Sequence, residues 1–234
     1  MAAVTSGPPI SDPIYQVSAR VFGDHAHFLD VMLSEPSLKK RAHNLAQKYQ
    51  GLASGNKPLT YLKLWGEVRQ LTADVVAAKQ RREPVGCVFQ ALVEHMLEES
   101  DLFGRMLHGV PVSLPELMEF SAHHNETALL FVTHVLDPSE ERWITAVAAS
   151  AHKFDLMEQQ LLKLKTPQAF VQAAVLQLLL NQAFDKDGGA LDTAVKQGAV
   201  SSLPGAAFFS TLLEHEAYEN IYISSLISSI TSRR

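Results

Sequence analysis

Two segments of the chain carry a histidine and a glutamate one helical turn apart. His95 precedes Glu99 in the first half, and His215 precedes Glu219 near the end. Successive residues of an α-helix are rotated by about 100°, so residues four apart share a face, and in both segments that face also holds large apolar residues. Burying a carboxylate is costly unless it is paired or bound to a cation. An imidazole and a carboxylate on an inward face therefore favour a site for iron, manganese or zinc. Glu216 also lies near the core side.

The helix that opens each half adds a further histidine. His25 lies on the apolar face of the first helix, whereas His27 points away from it. In the second half the histidine on the apolar face is His124, one turn before the position that matches His25, which is Ala128. Two histidines and one carboxylate are also the donors of the non-haem iron facial triad. The predicted metal ligands are His25, His95 and Glu99 in the first half and His124, His215 and Glu219 in the second.

A metal-free interpretation of the same residues stays open. Each histidine and glutamate pair on one helix is spaced so that the two side chains satisfy each other, in which case the pairs only specify packing. A cation bridges His25 to His95 and Glu99 only if the two helices face each other. Because Ala128 breaks the match between the halves, we expect the first site to be better formed than the second.

The elements that must position these residues are helices. Apolar residues recur at helical spacing along almost the whole chain, and alternating β-branched runs are scarce. Ser113 and Glu116 form the pattern of a capping box, and Asp137 is typical of an N-cap. Gly188-Gly189 is typical of a helix end. The predicted helices span residues 13–34, 37–53, 58–82, 86–108, 114–136, 139–164, 167–185 and 204–230, with a looser connection over 186–203.

The eight predicted helices repeat as four and four. The first helix of each half leads into a similar turn, Glu35–Ser37 in one and Asp137–Ser139 in the other. The last helix of each half carries a Glu-His step followed by a glutamate. Ordered matches of this kind indicate an internal duplication. The sequence therefore predicts an all-α protein of two tandem, related four-helix bundles: a flexible arm over 1–12, a first repeat over 13–110 and a second repeat over 111–234.

The composition argues against several classes of partner. The 234 residues include 20 basic and 25 acidic ones, a formal charge of −5, whereas nucleic-acid binding depends on clustered Lys and Arg. The most apolar stretch, 169–184, is too short and too interrupted by amides to span a bilayer, and a central helix or a homo-oligomer contact fits it better. Cys87 is the only cysteine and is predicted to be a core residue in a reducing compartment. We therefore predict a cytoplasmic protein without nucleic-acid or membrane partners.

These motifs resemble a family of uncharacterised, mostly bacterial proteins that fold as duplicated ferritin-like four-helix bundles. The resemblance rests on the His-x-x-Phe of His25–Phe28, the turn Leu136–Pro138 and the Glu-His pairs at 94–95 and 214–215, and it covers about residues 13–230. It implies a helical bundle with a metal site at the ligand positions named above. The Glu-x-x-His order of ferritin-like di-iron sites is absent, because histidine precedes glutamate here. Iron storage or di-iron oxidation therefore does not follow from the fold.

The function that these patterns favour is metal binding by a helical bundle, with a metalloenzyme as one special case. The chain has no Gly-rich phosphate loop and no GxSxG, HExxH or CxxC motif, so whether it is an enzyme stays open. One alternative is a metal-free structural or interaction protein whose buried His–Glu pairs only specify packing. Another is a small-molecule carrier that uses a cavity between helices.

Overall fold

The structure is a computed structural model that describes residues 13–52 and 58–232. This part of the chain contains eight α-helices. Within those residues there is no strand, and two isolated antiparallel bridges occur outside the helices. The all-α prediction is confirmed, while the predicted arm over 1–12 lies outside the described residues. The helices are α1 (Pro13–Met32), α2 (Pro36–Gln50), α3 (Pro58–Gln80), α4 (Gln90–Leu107), α5 (Leu114–Val135), α6 (Glu141–Leu161), α7 (Pro167–Lys196) and α8 (Ala206–Thr231).

Side-chain caps set the starts of α5 and α7. The backbone N–H of Glu116 donates to Ser113 Oγ at 3.4 Å, and the backbone N–H of Ser113 donates back to Glu116 Oε2 at 3.4 Å. At α7, Thr166 Oγ1 accepts from the backbone N–H of Ala169 at 3.2 Å. Each bond satisfies a backbone donor that the first turn leaves without an intrahelical partner. The predicted capping box is therefore confirmed.

The predicted end of α7 near residue 185 is wrong. The helix runs without interruption through Gly188 and Gly189 to Lys196, a length of 30 residues. Leu191 and Val195, one turn apart beyond the glycines, are both buried. Burial of these two side chains outweighs the cost of glycine in a helix interior, about 1 kcal/mol each.

The predicted starts of α6 and α4 are also wrong. Asp137 Oδ1 accepts from the backbone N–H of Ser139 at 2.9 Å, which closes a turn, and α6 begins four residues after Asp137. The helix α4 begins at Gln90 rather than at residue 86, because Gly86 forms a bridge with Leu33. Gly86 has φ of 120°, and a Cβ there would overlap the backbone of α1 and the residues after it. The chain between α3 and α4 therefore runs along the end of α1 without helical structure over 83–89.

Cys87, in the same connection, is exposed, so its predicted place in the core is wrong. Its backbone N–H donates to the carbonyl oxygen of Met32 at 3.1 Å. That backbone bond fixes the segment while Val85 and Val88 are buried on either side of the thiol. Gly86, with its φ of 120°, breaks the regular backbone geometry directly before Cys87, which turns the thiol out to solvent.

The first compact unit, Met1–Pro111, contains α1 to α4. Within it α1 packs on α2, α3 and α4, and α3 packs on α2 and α4. The bridge between Leu33 and Gly86 joins the chain just after α1 to the chain before α4. Packing of α1 on α4 brings the apolar faces that carry His25 and His95 into one core.

The second compact unit, Val112–Arg234, contains α5 to α8. Here α5 packs on α6, α7 and α8, and α7 packs on α6 and α8. A bridge between Leu136 and Ser202 joins the chain just after α5 to the chain before α8. Taken in chain order, the helix pairs in contact and the position of the bridge are the same as in the first unit.

The predicted apolar stretch 169–184 lies on α7 and is only partly buried. Gln177 and Asn181 are buried, whereas Val175, Leu176 and Leu179 are exposed by 63%, 44% and 57%. In the described part of the chain, none of the helices has the length and the apolar character that crossing a membrane requires.

Candidate metal centres

The first unit brings together His25 of α1 with His95 and Glu99 of α4. His25 Nε2 contacts Glu99 Oε2, and His95 Nε2 lies 3.3 Å from Glu99 Oε1. The side chains of His25 and Glu99 are fully buried, and that of His95 is 5% exposed. Two imidazole nitrogens from two helices thus approach the two oxygens of one buried carboxylate. These three residues are called the first cluster below.

A buried aromatic ring packs against one histidine of the first cluster. The ring of Phe22 lies with its centroid 5.8 Å from that of His25, in an edge-on arrangement, and 6.3 Å from that of Phe103 of α4. Phe22 and Phe103 are themselves buried. Because the cluster is buried, its charges are poorly screened, and electrostatic interactions inside it are stronger than at the surface. Burial also raises the cost of leaving a charge uncompensated.

The second unit brings His124 of α5 next to two glutamates of α8. His124 Nε2 lies 3.4 Å from Glu219 Oε2 and 3.7 Å from Glu216 Oε2. His215, four residues before Glu219 on α8, is 2% exposed. The ring of Phe120 stacks on the imidazole of His124, with centroids 4.8 Å apart and planes 16° apart. The four residues His124, His215, Glu216 and Glu219 are called the second cluster below.

A buried network of amides and hydroxyls crosses the second unit beside this cluster. Asn181 Nδ2 donates to Ser121 Oγ at 3.0 Å, and Gln177 Nε2 donates to Asn181 Oδ1 at 2.9 Å. Asn125 Nδ2 donates to Asn220 Oδ1 at 2.9 Å. The network therefore joins α5, α7 and α8, and it includes the residue that follows Glu219. Such networks orient the elements that carry them, because an incomplete one would leave polar groups buried without partners.

One carboxylate, Asp185 of α7, lies at the edge of the amide network. Asn220 Nδ2 donates to Asp185 Oδ1 at 2.7 Å. Burial raises the pKa of the Asp185 carboxyl, and the hydrogen bond from Asn220 opposes that shift. The structure therefore holds this acid where its charged form is disfavoured relative to an exposed aspartate.

A third group of donor side chains is half-buried on the surface of the second unit. One potential ligand atom from each of His123, Glu126 and Glu158 lies within 4.8 Å of the others. Burial raises the pKa of Glu126, and the negative charges of Asp155 and Glu158 add to the shift. Exposed acidic groups of this kind are common, and water screens them. We therefore assign this group no metal.

The predicted ligands of the first half meet at the carboxylate of Glu99, and two of those of the second half, His124 and Glu219, approach each other. His124 approaches Glu219, although it stands one turn away from the position matching His25. Glu216, noted in the sequence but not included among the predicted ligands, also approaches His124. The sequence reasoning missed the amide network, although Gln177 and Asn181 are four residues apart in an otherwise apolar helix. That spacing was the available signal, since it places both amides on one face.

Comparisons with known proteins agree with the fold and name no activity. No protein-family model matches the chain. A crystal structure of an uncharacterised protein from Bacillus cereus is similar, with a TM-score of 0.85 and 14% sequence identity, over 94% of this chain and 89% of that one. An uncharacterised protein of Acanthamoeba polyphaga mimivirus is 35% identical over 57 residues, 24% of this chain. The match spans 18% of the length of that viral protein. The Bacillus protein thus shares the all-helical fold.

Proposed function

We propose that the chain is a metal-binding helical-bundle protein in which each unit holds one transition-metal ion of the iron, manganese or zinc class. The ligands of the first unit would be His25, His95 and Glu99. Those of the second would be His124, His215 and Glu219, with Glu216 as a further carboxylate. The observation that carries the proposal is the placement of two imidazoles against a single, fully buried carboxylate in the first cluster.

Charge and donor type support a cation at the first cluster. One protonated imidazole would be enough to neutralise the carboxylate of Glu99, so the charge of this carboxylate does not require the second imidazole at 3.3 Å. A divalent cation uses all three side chains, because neutral imidazole nitrogen and carboxylate oxygen are both ligands for this class of metal. The burial of all three side chains would keep water from competing with the protein ligands.

The second candidate function is metal-free packing. The i, i+4 pairing of His95 with Glu99 on one helix favours it, since such a pair satisfies itself without a cation. In that case the clusters specify how α1 packs on α4 and how α5 packs on α8, and the chain is a structural or interaction protein. Metal content separates the two functions.

The test is elemental analysis of the full chain purified without a histidine tag, alone and as His95→Ala. We expect bound metal in the natural protein and the loss of the first-unit equivalent in the variant, with second-unit metal unchanged. His27→Ala, a half-buried histidine two residues from His25 and outside the cluster, is the matched control and should keep all the metal. Metal content of zero in the natural protein, or an equal loss in both variants, would contradict the proposal.

We also propose that the two units are a ferritin-like duplication. The support is the repeated order of packing: α1 to α4 and α5 to α8 use the same pairs of neighbours, and each unit has its bridge between the chain after its first helix and the chain before its last. An experimental structure in which α1 to α4 fail to superpose on α5 to α8 in chain order would remove that support.

The oligomer predicted through residues 169–184 belongs to the same proposal. The exposed side chains of Val175, Leu176 and Leu179 on α7 favour it, because apolar residues grouped on one helix often mark a contact surface. Light scattering of the full chain checks the prediction, and Leu179→Lys should return an oligomer to the monomer. The predicted cytoplasmic location and the lack of a nucleic-acid partner stay predictions.

A further inference from the structure

The second unit encloses a cavity of about 170 Å³ among α5, α6, α7 and α8. Its walls are mostly apolar, with Trp143 and Phe184 as the large rings and Val132 and Leu191 among the aliphatic side chains. Phe184, Val132 and Leu191 are buried, while Trp143 is half-buried. A cavity of about 150 Å³ with wholly apolar walls stays free of water and binds benzene. The space is therefore of the size and character that suit one six-membered carbon ring.

The polar groups in the wall are few, and the ionisable ones are acids. Glu216 of the second cluster, Asp187 of α7 and Ser150 of α6 line the cavity, and none of the described residues that line it is basic. An anionic ligand would meet like charge in a poorly screened space. A neutral head group that donates a hydrogen bond meets acceptors instead. Glu216 is 4% exposed and 3.7 Å from His124, so a head group that reaches it lies next to the second cluster.

A glycine in the middle of α7 contributes to the space. Gly188 lines the cavity, and a Cβ built on it would meet nothing within 4 Å. Its neighbour Gly189 is exposed and does not line the cavity. Each glycine lowers helix stability by about the same amount, roughly 1 kcal/mol relative to alanine. The pair therefore offers two positions with the same backbone effect, only one of which can fill the cavity.

We propose that this cavity binds a small, uncharged molecule that consists of one carbon ring and a hydrogen-bond-donating head group, of the phenol class. The ring lies between Trp143 and Phe184, and the head group points toward the carboxylate of Glu216. Burial of the ring provides the affinity, and the acidic wall provides the selection against anions. Binding at this site goes beyond the proposed metal function and does not depend on it.

The test is calorimetric titration of the full chain, freed of metal with a chelator, with phenol as the probe. We expect saturable binding of one phenol per chain, in the millimolar range expected of so small a ligand. Gly188→Leu should weaken binding by about tenfold or more, because its side chain occupies the cavity. Gly189→Leu, the matched control, should leave the affinity unchanged. Benzoate, which has the same ring with an anionic head, should bind at least about tenfold more weakly than phenol.

A second variant covers the case in which Gly188→Leu does not fold. Ala146 lines the cavity from α6 and is exposed, so Ala146→Leu narrows the cavity from its rim without disturbing the core. It should weaken phenol binding while the far-UV spectrum stays helical. The proposal is overturned if phenol does not saturate, if the Gly188 and Gly189 variants bind alike, or if benzoate binds as well as phenol. Because the protein is metal-free throughout, none of these outcomes depends on the metal proposal.

Discussion

The two units position histidine and glutamate on the corresponding pairs of helices, but with different ratios of imidazole to carboxylate. In the first cluster two imidazoles approach one carboxylate, through direct contact at His25 and 3.3 Å at His95. In the second cluster one imidazole, that of His124, approaches two carboxylates at 3.4 Å and 3.7 Å. A single protonated imidazole balances the one carboxylate of the first cluster, whereas the second cluster has two buried carboxylates, Glu216 and Glu219, together with two buried histidines, His124 and His215.

One position of the predicted repeat differs in side-chain size between the two halves. The predicted alignment pairs His25 of the first unit with Ala128 of the second, and Ala128 lines the cavity of that unit. By this alignment, a polar side chain of the first unit is replaced by a methyl group at the cavity wall of the second. The second unit also holds an amide network around Asn181 and Asn220.

The largest effect we expect is the loss of stability in His25→Ala. Removing this imidazole takes a contacting partner away from the fully buried carboxylate of Glu99. Breaking a buried pair by removing one partner typically costs about 3–5 kcal/mol of unfolding free energy. Urea denaturation of metal-free protein measures the change. His27→Ala on the same helix should cost less than about 0.5 kcal/mol, and equal losses in both variants would show that His25 contributes no more than an ordinary surface position.

The next effect sharpens the contrast in carboxylates. Glu99→Gln removes the carboxylate that both imidazoles of the first cluster approach, whereas Glu219→Gln leaves Glu216 next to His124. We expect Glu99→Gln to weaken first-unit metal binding by more than the ~10–100-fold that loss of an outer-shell partner costs, and Glu219→Gln to stay within that range.

Competition of each purified variant with a metal chelator, followed by elemental analysis, measures the two losses. Glu98→Gln, an exposed neighbour of Glu99, serves as the control and should keep the metal. If the Glu219 variant loses its metal as completely as the Glu99 variant does, the second carboxylate of the second cluster is not a substitute ligand.

Replacing two glycines in helix interiors by alanine should change the unfolding free energy by smaller amounts and in opposite directions. A Cβ on Gly104 of α4 would overlap the indole ring of Trp65, which is held by a hydrogen bond from its Nε1 to the carbonyl oxygen of Ser100 at 2.8 Å. Gly104→Ala should therefore lower the unfolding free energy by about 1–3 kcal/mol through overpacking. Gly188→Ala meets open space and should raise it by about 0.5–1 kcal/mol through helix propensity. Urea denaturation measures both changes in unfolding free energy. Changes of the same sign in the two variants would contradict the close packing at Trp65 or the open space at Gly188.

Local features of the fold could be predicted from the sequence, and long-range ones only in part. The start of α5 follows from Ser113 and Glu116, three residues apart, so neighbouring residues contain the whole signal. Helical periodicity likewise placed His25 and Glu99 on inward faces. It could not show that these two side chains meet, because they lie more than seventy positions apart in the chain and on different helices.

The failures have the same physical origin. Gly188 and Gly189 satisfy a local rule for ending a helix, but the burial of Leu191 on the next turn, a tertiary effect, overrides it. The amide network depends on residues from three helices meeting in one core. Each of its members, taken alone, is only an isolated polar residue in an apolar run. No pattern in the sequence predicts the cavity, because it depends on how the side chains of four helices pack together.

The smallest expected effect is a pH dependence that belongs to the second unit. Burial raises the pKa of Asp185, so between the ordinary aspartate value near ~3.9 and the raised one the folded state binds more protons than the unfolded state. Stability contributed by this group therefore falls as the pH rises through that window, and the penalty is complete above it.

Asp185→Asn removes the titration, while its Oδ1 can still accept from Asn220. We expect the variant to have a higher unfolding free energy than the natural protein at pH 7 but not near pH 3.5. Urea denaturation at both pH values measures the difference. The gain should be well below the ~1.4 kcal/mol of a full pKa unit, because the carboxyl is only half-buried and water screens it. Asp187→Asn, at an exposed position two residues further along α7, is the control for removing a carboxyl group from this helix. A gain of the same size at both values would mean that packing, and not the charge of Asp185, separates the variant from the natural protein.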